Sequence, residues 1–274
     1  MNANATLSFS RYANVFTDGL SIENLRQNVP ALFAGAPHES LSLKYTFIPT
    51  ERVLSGLMSA GFVPVEARQA HCRKGSPVHA RHVVRLRRRF ETVALRDAVP
   101  EVVFLNSHDG TSAYQLRLGL FRAVCTNGLI VSVGAFPSYC VAHRGDIVGE
   151  VVTAALEASE RFEALAGRVE RMEHRRLDRG EQIGFAGKAL ALRFPELGKA
   201  GMQPSMLLGC RRADDTNDDL WTVLNRVQEN LLGGGLVRRA ESGRLSRTRR
   251  ITSIREGVRL NSRLWDLAEE VLAA

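Results

Sequence analysis

The chain has 274 residues, 45% of them hydrophobic and 24% charged, which suffices for one large core or two modest ones and excludes a disordered or fibrous protein. No apolar run reaches the roughly 18–20 residues a bilayer span needs, the first residues lack the charged start and apolar core of a secretory leader, and Cys72, Cys125, Cys140 and Cys210 form no C-x-x-C pair, so a cytoplasmic chain with reduced thiols, no disulfide framework and no membrane partner is expected. The net charge of +8 is unevenly spread: residues 68–89 carry +8 and residues 238–263 carry +7, leaving about −7 for the rest.

Residues 1–40 are expected to be an extension with one short helix over about 21–34. Leu41–Phe47 alternates apolar and polar residues and predicts a strand. A helix follows from Pro49-Thr50-Glu51 to about Ala60, stopped by Gly61, and Phe62–Ala70 again has a strand pattern. In Val78–Phe90 the residues Val78, Ala80, Val84, Leu86 and Phe90 share one parity, while His79, Arg81, Arg85, Arg87 and Arg89 share the other. Strands are expected at Glu101–Leu105 and Ser112–Leu120 around a two-residue Asp109-Gly110 turn. Asn127-Gly128 predicts a second hairpin, and Ser138–Ala142 a further short strand.

The second half is helical in pattern. Val151, Ala155, Ala158, Phe162, Leu165, Val169 and Met172 recur at 4-3 spacing, which predicts one long helix from Asp146 that lies across the sheet or meets a partner helix. Helices are also expected over about 179–194, from a capping box at Thr216 and Asp219 to Gly233-Gly234-Gly235, and over about 252–273. The predicted fold is α+β: an antiparallel meander of four or five strands, then a long helix and a helical C-terminal third. One domain is expected over 41–274, sheet-rich at 41–145 and helical at 146–274.

Two arginine clusters carry the functional expectation. Arg81, Arg85, Arg87 and Arg89 would recur every 6.6 Å or so along one strand face, a spacing that can follow an extended phosphate backbone with planar guanidinium forks. Arg244, Arg247, Arg249 and Arg250 follow the glycine triplet and have the composition of a tether that orders on phosphates. The competing readings are a solvated sheet face and a polar loop. An overall preference for Arg over Lys (33 to 4) explains the residue type but not the clustering. The triad-like Ser107-His108-Asp109 cannot act as one, because triad side chains converge from separate positions. His71, Cys72, His79 and His82 fit no zinc spacing, so no metal is expected. No nucleotide-binding, hydrolase, zincin or deaminase motif is present, and neither an enzyme nor a cofactor is expected.

Three strings nonetheless occur together: Asn106-Ser107-His108-Asp109-Gly110, Phe121-Arg122-Ala123-Val124-Cys125-Thr126-Asn127-Gly128-Leu129, and Asn217 to Leu231 with Trp221, Asn225 and Gln228, followed by the glycine triplet. They resemble the uncharacterised YafZ/YfjQ-like family carried by plasmids, prophages and integrative elements, over about residue 40 to the C-terminus. The resemblance implies a mobile-DNA setting rather than an activity, and marks Asn106, Ser107, His108, Asp109, Arg122, Cys125, Asn127, Trp221, Asn225 and Gln228 as motif residues without a stated role. The expected function is therefore non-enzymatic nucleic-acid binding, with single-stranded DNA as the partner and recombination or annealing as the setting. Arg81, Arg85, Arg87, Arg89, Arg122, Arg244, Arg247, Arg249 and Arg250 would make the contact. The alternative is a protein–protein module that regulates a host factor and forms a homo-oligomer through residues 151–172.

Overall fold

A computed structural model describes residues 6–8, 19–42, 45–71, 76–89, 98–122, 129–131, 139–141, 147–195, 201–239 and 243–274. The chain divides into two compact units, Met1–Val124 with Gly134–Phe162, and Cys125–Val133 with Glu163–Ala274. The sheet-rich and helical portions thus interleave, since 125–133 belongs to the helical unit and 134–162 to the sheet unit.

The first unit is built on an antiparallel meander in the order β1 (Thr6–Ser8), β2 (Phe62–Gln69), β3 (His82–Arg88), β4 (Ala98–Asn106) and β5 (Tyr114–Arg122), with β7 (Tyr139–Val141) also paired to β5. Register sets the two faces. Leu86 lies opposite Val102, which lies opposite Leu118, and Val84, Phe104 and Leu116 form the next rung. These residues are buried, and the ring of Tyr114 stacks on Phe104. Helix α1 (Ile22–Asn28), with its N-cap Ser21, leads into a short 3-10 turn at Pro30–Phe33. Helix α2 (Thr50–Ser59) buries Val53, Leu54 and Leu57, and α3 (Ile147–Ser159) runs beside β4 and β5. The two helices meet at Gly56, where an added Cβ would sit 2.9 Å from Val148.

Three local expectations are corrected. Leu41–Phe47 is no strand where described: Tyr45 N–H returns to Ser42 O, a turn. The strand expected from Val78 begins only at His82, because Pro77–His79 forms a 3-10 turn whose Pro77 carbonyl accepts from Ala80 N–H. The β4–β5 connection spans residues 107–113 rather than two, with Gly110 at φ +76°. The long helix expected across 151–172 is present and bent, as α3 and α4 (Phe162–His174), with Arg161 N–H bonding the carbonyl three residues back at the bend. All seven seam residues from Val151 to Met172 are buried. Residues Asn127 and Gly128, with the hairpin expected there, lie outside the described residues.

The second unit holds β6 (Leu129–Val131) and most of α4, with α5 (Arg179–Arg193), α6 (Leu220–Gly233), a two-stranded ribbon of β8 (Val237–Arg239) and β9 (Leu245–Arg247), and α7 (Ile254–Ala273). Asp178 and Glu181 close a capping box on α5. The cap of α6 is Asp219, whose Oδ1 accepts Thr222 N–H at 2.8 Å, not Thr216 as its spacing suggests. Helix α6 is enclosed on nearly every side, polar residues included, and β6 runs beside α7.

Candidate functional site

The β3 arginines do not form a free row. Arg85 reaches Glu66 through Nη1 at 2.5 Å and Glu101 through Nε at 2.6 Å and Nη2 at 3.0 Å; Arg87 Nε reaches the same Glu101 at 2.7 Å. Glu101 is fully buried, and the Arg85 and Arg87 side chains are only 12% and 16% exposed. The Phe121 ring folds across Gly119, where a Cβ would collide with it, and places its centroid 3.3 Å from the Arg85 guanidinium carbon. Burial works against the charge of Arg85, but Glu101 and Glu66 outweigh it and hold the proton above the ordinary arginine range. Arg81 donates through Nη2 to the Thr111 carbonyl at 2.8 Å, and Arg89 is exposed just past the end of β3. Arg122 is the last residue of β5, opposite Ala98.

The Asn106–Gly110 motif forms a polar knot with a buried base and a surface tip. Asn106, Ser107 and His108 are wholly buried beside the N-terminus of α2. Thr50 Oγ1 is the hub: it accepts from Asn106 Nδ2 at 3.0 Å and lies 3.0 Å from Nε2 of both His82 and His108. Burial pushes the His82 imidazole down to about 4, partly opposed by its bond to the Ala80 carbonyl and by Asp109, so the ring is neutral at pH 7. Its Nδ1, 2.9 Å from the Ala80 carbonyl, carries the proton, because a carbonyl can only accept. Bare His82 Nε2 then takes the single Thr50 proton, and His108 must donate its Nε2–H to the Thr50 oxygen. Asp109 Oδ1 accepts from Thr111 Oγ1 at 2.6 Å and Thr111 N–H at 3.0 Å. Desolvation raises the Asp109 pKa, but the bonds from Thr111 and Ser107 prevail and leave it below the usual carboxylate value. The arrangement fixes tautomers and closes a loop whose tip, Asp109 to Thr111, reaches the surface.

The C-terminal motif residues are also interior. Trp221 is buried, Asn225 Nδ2 donates to the Trp221 carbonyl at 2.8 Å, and Gln228 donates to Asn261 on α7 at 2.8 Å. Asn230 Nδ2 donates to the carbonyls of Leu207 and Gly209, pinning the 3-10 turn Pro204–Leu208 to α6. These side chains hold the helices of this unit in register.

The second arginine cluster is arranged differently. In place of a tether, Val237 pairs with Arg247, Arg238 with Ser246 and Arg239 with Leu245. Its root is pinned where it leaves α6: Gly235 N–H donates to Thr248 O at 2.8 Å, Thr248 N–H to Leu236 O at 2.9 Å, and Ile251 N–H to Leu232 O at 2.9 Å. Gly234, at φ +69°, lets the Arg249 backbone pass within 2.7 Å of where a Cβ would stand. Arg238, Arg239, Arg244, Arg247, Arg249 and Arg250 are all exposed, as are Val237 (39%) and Leu245 (59%). Residues 237–250 carry six arginines against Glu241. Arg238, Arg239 and the two apolar residues escape a reading based on composition alone. The signal for them was the Ser242-Gly243 turn pair between two short runs that each open on an apolar residue, Val237 and Leu245.

Residues 37–265 match the family described as "Domain of unknown function (DUF932)". Two proteins of Escherichia coli (strain K12) are similar over 254 residues, 92% of this chain and 92% of each of theirs: "UPF0380 protein YafZ" at 41% identity and "UPF0380 protein YfjQ" at 40%. No solved structure matches. With the match spanning both the sheet and the helical unit, the chain belongs to the DUF932 family.

Proposed function

We propose that this chain is a non-enzymatic nucleic-acid-binding protein of a mobile genetic element, and that the β8–β9 ribbon is its contact surface. The observation that carries the reading is the ribbon: an exposed, backbone-paired scaffold with six arginines in fourteen residues, where Arg85 and Arg87 of β3 are instead consumed by Glu66 and Glu101. Exposed guanidinium groups lose little on meeting phosphates and release the counterions condensed there. A paired strand also sets the arginines at a fixed spacing before binding, which lowers the ordering cost. The mobile-element setting rests on the family resemblance alone. The oligomerising-regulator reading has no comparable support, because the seam that motivated it is buried within the chain.

The test is a titration of labelled oligonucleotides at two salt concentrations with the wild-type chain and with R239Q/R244Q/R247Q/R249Q. Binding is expected to fall steeply with salt, and the variant's log–log slope should be smaller by about 0.9 for each phosphate contact removed from a duplex, or about 0.7 from a single strand. Wild-type affinity weaker than about 10⁻⁴ M at low salt, or a slope unchanged in the variant, would overturn the proposal.

A further inference from the structure

We infer that the ribbon enters the major groove of duplex DNA and meets base edges as well as phosphates, an inference that rests on the nucleic-acid reading above. The register puts Val237, Arg239, Leu245 and Arg247 on one face, because residues two apart share a face and Val237 lies opposite Arg247 while Arg239 lies opposite Leu245. Charge and apolar surface therefore alternate diagonally across a block of four exposed side chains. Arg238 and Ser246 occupy the other face and bond each other, Nε to Oγ at 2.9 Å. A surface that merely tracked phosphates would have no use for Val237 and Leu245, and water penalises exposing them. A partner that satisfies all four must offer acceptors and methyl groups at side-chain spacing. The major groove does: guanine presents O6 and N7 to an arginine fork, and thymine presents its C5 methyl.

The dimensions agree. Two strands about 4.8 Å apart, with their side chains, fit a groove about 12 Å wide and not the B-form minor groove of about 6 Å. The deep, narrow major groove of A-form RNA excludes them as well. Sequence-indifferent single-strand binders stack bases on aromatic rings, and residues 236–251 contain no Phe, Tyr or Trp. Exposed Arg244, Arg249 and Arg250 flank the block, where the phosphate backbones bounding a groove would lie.

The experiment compares one sequence as unmodified DNA duplex, as a duplex whose cytosines carry glucosylated hydroxymethyl groups that fill the major groove, as RNA duplex and as single-stranded DNA. Each is titrated with the wild-type chain, R247Q, L245A and R255Q; Arg255 is exposed on α7, so R255Q removes the same charge outside the ribbon. The unmodified DNA duplex should bind at least about tenfold tighter than the other three. R247Q and L245A should each erase most of that preference, and R255Q should keep it; circular dichroism confirms that every variant is folded. Equal affinity for the filled-groove duplex or the single strand, with salt dependence intact, overturns the groove inference and leaves nucleic-acid binding standing. Absence of salt-dependent binding to any of the four overturns both. A preference that survives L245A overturns the base-edge role.

Discussion

At the scale of single residues, the protein hides polar chemistry where its motifs are most distinctive. Glu101 sits between two arginines with no water to screen them, and such a buried set owes its place to completeness: removing one member strands a charge at a cost of about 3–5 kcal/mol. The Thr50 hub is similar, with a neutral His82 and one shared hydroxyl. Its pH consequence follows from His82. The imidazole titrates near 6.5 in the unfolded chain and at about 4 when folded, so above pH 6.5 both forms are neutral and the knot is fully stabilising. As pH falls from 6.5 toward 4 the unfolded chain takes up a proton that the folded one refuses, and that stability is lost. Between pH 7 and pH 5 the loss is about 2 kcal/mol. Urea unfolding of the wild type and H82Q at the two values measures it: the wild type should lose about that much more than the variant, and parallel losses would refute the assignment. His82 faces His108, Thr50 and the nearby charge of Asp109, so its removal changes no other ionised contact directly.

At the scale of elements, the ribbon depends on how α6 ends. Gly234 holds φ +69° and ψ −155°, a backbone region essentially closed to residues with a Cβ, and its missing Cβ is where the Arg249 carbonyl passes. Gly235 also has positive φ, at +81°, but nothing lies within 4 Å of its absent Cβ. G235A should therefore cost only the backbone penalty of roughly 1–2 kcal/mol. G234A should cost distinctly more and weaken nucleic-acid binding, since it displaces the strand that carries Arg247. Urea midpoints and a binding titration of both variants check this, and equal losses would mean that the root is not the anchor. The meander and helices 50–59, 179–193, 220–233 and 254–273 were legible in the sequence because apolar period ran through each, and glycine or proline marked the stop of the first three helices. What misled was geometry that period does not encode. The parity of β3 separated Arg85 and Arg87 from the apolar core correctly, yet parity cannot say that Glu66 and Glu101 arrive from neighbouring strands to pair with them. Ser, Gly and Arg between 238 and 250 suggested a loop because three-residue strands carry almost no periodic signal.

At the scale of the whole molecule, the net charge of +8 conceals where positive charge is available. Arg85 and Arg87 of the first basic cluster are spent inside the sheet, whereas residues 237–250 carry a net +5 in sequence and expose Arg238, Arg239, Arg244, Arg247 and Arg249. The same distribution bears on self-association. A heptad-like seam normally invites a second helix, but here Val151 through Met172 is already covered by the chain itself. Among the described residues the large apolar side chains left exposed are Ile183, Val237 and Leu245, too few to drive a stable interface, which needs about 800 Å² from each partner. Strand addition at the ribbon is another route, since unpaired backbone groups template it, and Gly201 packs against the Arg239 carbonyl on the β8 side. Two ribbons brought edge to edge would oppose +5 against +5 at contact distance, and at 0.15 M salt charges closer than about 8 Å are still poorly screened. Light scattering at low and physiological salt should therefore return the 30.2 kDa of one chain, with no dependence on protein concentration. A mass twice that under either condition would show that another surface is covered in solution and would restore the oligomer reading. On the proposed function duplex DNA would neutralise the ribbon, so any association that appears only on its addition belongs to the complex rather than to the free chain.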